Sequence, residues 1–160
     1  MTALTGVQTL FAEYPFPGRD IVWVVDELVR VLQHAGSVYL AMVSDDVGGR
    51  CLVCTAPAVP GEELRLPQVR VGVFRAMLAR IAVLASQETG TEFQPYGGRY
   101  ALIRSTRSGP VRLEIEFTNT PASQQLSVTR VAISLAKESL PTNAGARVLT
   151  PQSADSSSTP

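Results

Sequence analysis

Residues 111–118, Val-Arg-Leu-Glu-Ile-Glu-Phe-Thr, alternate apolar and polar side chains without a break. Because successive side chains of a β-strand point to opposite faces, this period of two predicts a strand with one buried face and one face in water. The turn Ser108-Gly109-Pro110 joins this strand to the run at 99–105, which predicts a hairpin. An antiparallel sheet is therefore the centre of the predicted fold.

The N-terminal half of the chain predicts a helix followed by a second hairpin. Apolar residues recur at helical spacing over residues 19–35, and Gly36 is typical of the residue that ends a helix. The apolar run at 38–43 predicts a strand buried on both faces. Turn residues at 45–49 then return the chain into a second strand over residues 50–55.

The middle of the chain predicts one loop and one more helix. Residues 56–67 carry three prolines, a glycine and an acidic pair, which favours an exposed loop. Residues 68–87 again show apolar residues at helical spacing. The short stretch at 91–94 is the first of three predicted strands here, and the hairpin described above supplies the other two. For residues 124–137 a helix is favoured, with a strand over 126–133 as the competing interpretation, since Val, Thr and Ile prefer strands.

The predicted fold class is α+β, with elements in the order α-β-β-α-β-β-β-α and a five-stranded antiparallel sheet flanked by helices. We expect a single domain over residues 19–140, preceded by an N-terminal extension at 1–18. Residues 141–160 are rich in Ser, Thr, Pro and Gly, which predicts a disordered tail.

Composition excludes several classes of function. The chain has 14 basic and 14 acidic residues, so its net charge is zero and it lacks the basic surface that nucleic acid or anionic lipid requires. One His and two Cys cannot supply the four ligands of a Cys/His zinc site. We expect no metal, no cofactor and no catalytic residues, and therefore a protein that is not an enzyme.

The sequence also shows no targeting signal. The first residues lack the basic start and apolar run of a secretory signal, and the longest apolar stretches, 21–25 and 81–85, are too short to span a membrane. These features predict a cytoplasmic protein that does not bind membranes. Arg outnumbers Lys by 13 to 1, a bias that indicates a GC-rich, bacterial genome.

Three residues could carry nucleophile or redox chemistry. Cys51 and Cys54 have the spacing of redox and metal motifs, but on a strand residues three apart point to opposite faces, so packing thiols are the favoured interpretation. His34, the only His, lies near the end of the first predicted helix, where it can interact with the helix dipole. A Cys-His nucleophilic pair remains a less favoured alternative.

The remaining polar motifs favour structural roles. The segment 95–100, Pro-Tyr-Gly-Gly-Arg-Tyr, has the glycines of a phosphate-binding loop but lacks its lysine and a following helix, so a turn is favoured. Asp45-Asp46 lacks further acids at calcium-loop spacing. The arginines near the second hairpin could line a nucleic-acid platform beside aromatic residues, but Glu114 and Glu116 favour cross-strand ion pairs in water. The arginines concerned are Arg99, Arg104, Arg107 and Arg112.

The order of elements resembles that of the Roadblock family. The stretches that carry the resemblance are residues 36–54, with a small residue after the helix and then a hairpin, and residues 90–117, with a Gly-Arg-Tyr strand and its hairpin. The resemblance covers about residues 19–138. It implies a non-enzymatic, homodimeric adaptor or regulatory scaffold for a small Ras-like GTPase.

The resemblance also implies that the second helix pairs with its copy in a dimer. On this basis Val73, Phe74, Met77 and Ile81 are the predicted partner-binding residues. A GAF-like domain that senses a small molecule, in a pocket between sheet and helices, is the alternative, supported by Tyr39, Phe93 and Tyr100. A small enzyme that uses Cys51 or Cys54 is the third hypothesis.

Overall fold

The structure, a computed structural model, describes residues 2–12, 14–15 and 20–133 of the chain. These residues form three helices and six strands. In chain order they are α1 (Ala3–Ala12), α2 (Ile21–Ala35), β1 (Val38–Ser44), β2 (Arg50–Thr55), β3 (Glu63–Leu66), α3 (Val71–Thr89), β4 (Gly97–Thr106), β5 (Gly109–Asn119) and β6 (Gln124–Ala132).

The six strands form one sheet in the order β3-β2-β1-β6-β5-β4, and every neighbouring pair is antiparallel. Each half of the sheet is a set of three consecutive strands, β1 to β3 and β4 to β6. The last strand, β6, pairs with β1 on one side and with β5 on the other. It therefore joins the two halves into a single sheet, with β3 and β4 at the edges.

Capping interactions fix the ends of the two long helices. The Asp20 side chain accepts a hydrogen bond from the Trp23 backbone N–H (2.9 Å), which satisfies one of the free donors at the start of α2. At the C-terminal end of α3, Gly90 has φ +66°, and its N–H donates to the Ser86 carbonyl (3.0 Å). This left-handed conformation favours glycine, so the helix ends there.

All three described helices pack on one face of the sheet, which we call the helix face. α2 contacts both α1 and α3, while α1 lies over β2 and β3 and α3 contacts β2 and the strands of the other half. Every second residue of the strands points into this layer, including Leu40, Leu52, Leu113 and Leu126, all at most 1% exposed. The hydrophobic core therefore lies between the helices and a single face of the sheet.

The prediction of five strands in the order α-β-β-α-β-β-β-α is wrong. The sheet has six strands, and the described elements run α-α-β-β-β-α-β-β-β. The favoured helix over residues 124–137 is a strand, β6, as far as Ala132. Gln124, Leu126 and Val128 alternate with more exposed residues, which is the period of two of a strand. The prediction failed because the apolar residues of this segment also fit the spacing of a helix.

Three other segments also differ from expectation. The predicted loop at 56–67 contains the short edge strand β3, whose Leu66 lies in the core. The predicted N-terminal extension contains α1, whose Val7 and Phe11 are fully buried in the same core. Residues 91–94 form no strand. The physical reason is tertiary: a four-residue strand and a ten-residue helix are weak alone and gain stability by packing.

Residues 134–160 are outside the part of the chain that the structure describes. The prediction of a disordered tail over 141–160 and the last part of the predicted helix fall in this segment. Both stay predictions.

The position of Phe74 in the core gives a test of this architecture. Replacing Phe74 by Ala removes a fully buried ring from the contact between α3 and the sheet. We expect Phe74→Ala to lower the free energy of unfolding by about 3–5 kcal/mol. Urea denaturation followed by circular dichroism measures the change. Ala76→Ser, on the exposed side of the same helix, is the control and should change the free energy by less than about 0.5 kcal/mol. An unchanged stability for Phe74→Ala would contradict this placement of the helix.

Candidate functional site

The face of the sheet opposite the helices, which we call the outer face, lies outside the core between helices and sheet. Its two halves differ in chemistry. The part of the outer face on β1 and β2 is called the apolar half. The part on β4, β5 and β6 is called the polar half. The apolar half consists of Tyr39, Ala41, Val43, Cys51 and Val53, and the polar half of Arg99, Ala101, Arg112, Glu114, Glu116, Ser127 and Thr129.

The polar half contains a shallow groove of about 490 Å³. Small side chains form part of its lining, namely Ala101, Ser127 and Thr129. Arg99 donates to Glu116 across the strand pair (2.9 Å), and Arg112 donates to Glu114 on its own strand. These ion pairs are largely exposed, so each contributes about 0–1 kcal/mol to stability. The groove is therefore electrically balanced and in contact with water.

The edge strand β4 borders this groove. Among the described residues it pairs only with β5, so one row of its backbone N–H and C=O groups has no strand partner. Ile103 lies on the outer face of β4 and is 55% exposed, next to Arg112 of β5. An exposed isoleucine on a ten-residue edge strand is a combination that proteins usually avoid, because such an edge pairs with other chains.

The hydrogen bonds at the two ends of β5 show which residues of β4 point to the free edge. Pro110 lies opposite Ser105, and its carbonyl accepts from the Ile133 N–H on the β6 side (3.2 Å). At the other end the Asn119 N–H donates to the Tyr96 carbonyl (2.8 Å). In an antiparallel ladder the backbone N–H and C=O of one residue point to the same neighbouring strand, and those of the next residue point to the opposite side. Both observations therefore identify the same residues of β4 as those whose backbone groups point to the free edge. They are Arg99, Ala101, Ile103 and Ser105.

The predicted partner-binding residues lie mostly in the core. Phe74 and Met77 are fully buried and Ile81 is 2% exposed, all three packed between α3 and the sheet. Val73 is half-buried against the same cluster. In the folded chain the three buried side chains have no free surface for a partner, because they are already used to attach α3. The sequence predicts more apolar residues on this helix than one domain needs, whereas the domain buries three of the four itself.

The two cysteines lie on β2 with opposite orientations. Cys54 packs into the core and Cys51 lies on the outer face, and both are free thiols. Burial raises the pKa of the Cys54 thiol to about 12, so this group is neutral and a poor nucleophile near neutral pH. His34 is exposed in the last turn of α2, 3.3 Å from the Gln33 side chain. The structure does not bring Cys54 and His34 together as a catalytic pair, since one is in the core and the other on the surface.

The other sequence motifs serve the fold. Of the segment 95–100, where a turn was favoured, only Pro95 and Tyr96 form a turn, and residues 97–100 already belong to β4. A side chain at Gly97 would meet the Phe117 carbonyl at 2.9 Å, so glycine allows the strands to approach. The Asp45 carboxylate accepts from the Val47 N–H (3.1 Å) and so stabilises the β1–β2 turn. Arg104 turns to Glu88 of α3 and does not join the outer face.

Two features are absent from the described residues. They contain no cluster of three or more His, Cys, Asp or Glu side chains that could hold a metal ion. Within the same ranges, no helix has the length and apolar character needed to cross a membrane.

Comparisons with known proteins give no family for the chain. It matches no protein-family model, no curated protein and no solved structure. The resemblance to the Roadblock family therefore stays a prediction.

The edge strand and the outer face were only partly foreseen from the sequence. The alternation at 111–118 correctly indicated a wet face with Glu114 and Glu116, and the Arg99–Glu116 pair crosses between strands as expected. The exposure of Ile103 was not foreseen, because the strand order that makes β4 an edge depends on the unforeseen strand β6. The sequence pattern of residues 99–105 is equally compatible with a central strand and with an edge strand.

The raised pKa of Cys54 predicts a dependence of stability on pH. The folded chain keeps the thiol proton up to about pH 12, whereas the unfolded chain loses it above the ordinary cysteine pKa of 9.0. The folded state therefore binds more protons in this window, and stability falls as the pH rises from 9 to 12. We expect the wild-type chain to lose about 1 kcal/mol per pH unit relative to Cys54→Ala, measured by urea denaturation between pH 8 and 11. Parallel slopes for the two chains would contradict the burial of this thiol.

Proposed function

We propose that the chain is a non-enzymatic interaction module that forms a homodimer through the free edge of β4. The observation that carries this proposal is the long edge strand with its exposed Ile103. Two copies of such an edge can pair antiparallel about a two-fold axis, which is the commonest symmetry of homodimers. The two sheets would then form one continuous sheet of twelve strands across the dimer.

The chemistry of the edge supports pairing with an identical edge. The outward backbone groups of Arg99, Ala101 and Ser105, together with the Ile103 N–H, can hydrogen-bond to a second strand. The Ile103 carbonyl already accepts from the Arg104 side chain (3.1 Å). Ala101 and Ile103 add apolar side chains beside those bonds on the outer face, where cross-strand contacts between side chains stabilise a pair. The net charge of zero also means that two copies do not repel each other through their overall charge.

The role of the dimer is an adaptor or regulatory scaffold in the cytoplasm. Pairing through β4 would place two polar halves side by side on one sheet, with their balanced charges and grooves facing the same way. A surface of this kind, rich in paired arginines and glutamates, suits recognition of another folded protein, since charge complementarity favours the correct partner. The small Ras-like GTPase implied by the family resemblance is the candidate partner.

The small-molecule alternative has less support. A GAF-like ligand pocket was expected between the sheet and the helices, whereas the groove of about 490 Å³ lies on the outer face. Of the three aromatic residues that suggested it, Tyr39 and Phe93 are exposed and Tyr100 stacks on Phe117 with ring centres 6.0 Å apart.

The substitution Ala101→Pro tests the edge pairing. It removes an N–H that points to the free edge and leaves the β4–β5 hydrogen bonds in place, as proline does on edge strands. We expect the wild-type chain to be a dimer in light scattering and Ala101→Pro to weaken dimerisation by at least about tenfold while keeping the fold. Ala101→Val is the matched control, because it keeps the N–H and should stay dimeric.

Two outcomes would contradict the proposal. A wild-type chain that is monomeric at micromolar and higher concentrations has no edge dimer. A folded Ala101→Pro chain that dimerises as strongly as the wild type must use another surface. Circular dichroism and thermal unfolding of the variant distinguish loss of the dimer from loss of the fold.

A further inference from the structure

The residues of β4 that direct their backbone groups to the free edge limit how a second copy can pair there. They are Arg99, Ala101, Ile103 and Ser105. The Ile103 carbonyl accepts from the Arg104 side chain and keeps a second lone pair for a strand partner. In an antiparallel pair, a hydrogen-bonded position joins two residues that both point to the other strand. A shift by one residue would place each outward residue opposite one that points to β5, so the possible registers differ by two residues.

We propose that the two chains of the homodimer pair with Leu102 on the two-fold axis, so that Ala101 lies opposite Ile103 of the second copy. This inference rests on the dimer proposed above and specifies its register. Arg99 then lies opposite Ser105 of the second copy. The outward residues of the two chains therefore pair entirely with one another.

The side chains on the outer face favour this register. Ile103 is 55% exposed and Ala101 is also exposed, and here each covers the other across the new strand pair. Apolar side chains that lie directly opposite each other stabilise a pair of strands. Arg99 faces a serine hydroxyl, which can accept a hydrogen bond from the guanidinium group. No position of β4 places two like charges opposite each other.

The two neighbouring registers are less favourable. With Ala101 opposite itself, Ile103 would face the charged Arg99 of the second copy. That arginine is 81% exposed and already paired with Glu116. With Ile103 opposite itself, Arg99 would face Arg107 and would have no strand partner, because β4 ends before Arg107. Like charges directly opposite each other destabilise a pair of strands.

The register also decides which residues border the groove of the polar half. Arg99 and Ala101 line this groove on its β4 side. Ser105 and Ile103 of the second copy lie opposite them, so each groove continues onto the other chain. A protein bound along the groove would therefore contact both chains, which makes its binding depend on dimerisation.

Cysteine cross-linking of the full chain measures the register directly. Opposite residues of a hydrogen-bonded antiparallel pair have Cα atoms about 5.5 Å apart, which a disulfide can bridge. A shift by two residues separates them to roughly 9 Å, which a disulfide cannot bridge. The variants Ala101→Cys and Ile103→Cys are mixed one to one, allowed to exchange chains and oxidised in air with copper-phenanthroline. The native Cys51 and Cys54 are buried and are present in every sample.

We expect the mixture to give at least about tenfold more covalent dimer on a non-reducing gel than either variant alone. Each variant alone is the matched control, because in the proposed register neither introduced cysteine lies opposite its own copy. A mixture of Arg99→Cys and Ser105→Cys should cross-link in the same way, and it leaves Ala101 and Ile103 in place. Light scattering of these samples and of the wild-type chain under reducing conditions measures dimerisation separately.

Three results would overturn this register. Efficient cross-linking of Ala101→Cys alone, or of Ile103→Cys alone, would show an edge dimer in a neighbouring register and would leave the proposed function intact. Samples that are dimeric in light scattering but cross-link in neither mixture would show that the dimer uses another surface. A monomeric wild-type chain would remove the proposed dimer and the register with it.

Discussion

The pairing of β6 with both β1 and β5 is the interaction on which the rest of the structure depends. It joins the first hairpin of the chain to the last one, with Val38 opposite Val128 and Ile115 opposite the same residue from the other side. Without it, each half would be a three-stranded sheet with two free edges, and the helices would lack a common surface. Because these contacts span about ninety residues, they form only when the chain closes on itself.

Placing all three described helices on one face determines what the other face can do. The helix face takes the leucines and aromatic residues that stabilise the fold, so the outer face is free to vary in chemistry along its width. Its exposed ion pairs add little stability, which leaves them available for recognition and solubility. The edge strand β4 and the apolar half of the outer face lie at different places on this surface.

The sequence predicted elements with strong local signals and missed those that depend on tertiary contacts. Residues 111–118 alternate strictly, so β5 followed from local rules. The helices predicted over 19–35 and 68–87 overlap α2 and α3, with ends that differ by up to three residues. β3 has only four residues and lies in a proline-rich segment, and β6 has apolar positions that fit a helix as well. The site was predicted on α3, because an apolar helix looks alike whether it faces a partner or its own sheet.

The sequence by itself determined the α+β composition, the wet face of β5 and the opposite orientations of Cys51 and Cys54 on their strand, because each follows from residues close together in the chain. Only the tertiary structure decided that Phe74, Met77 and Ile81 are core residues and that β4 is an edge. Burial and strand order are properties of the whole sheet, and β6 sets both by pairing with strands from distant parts of the chain.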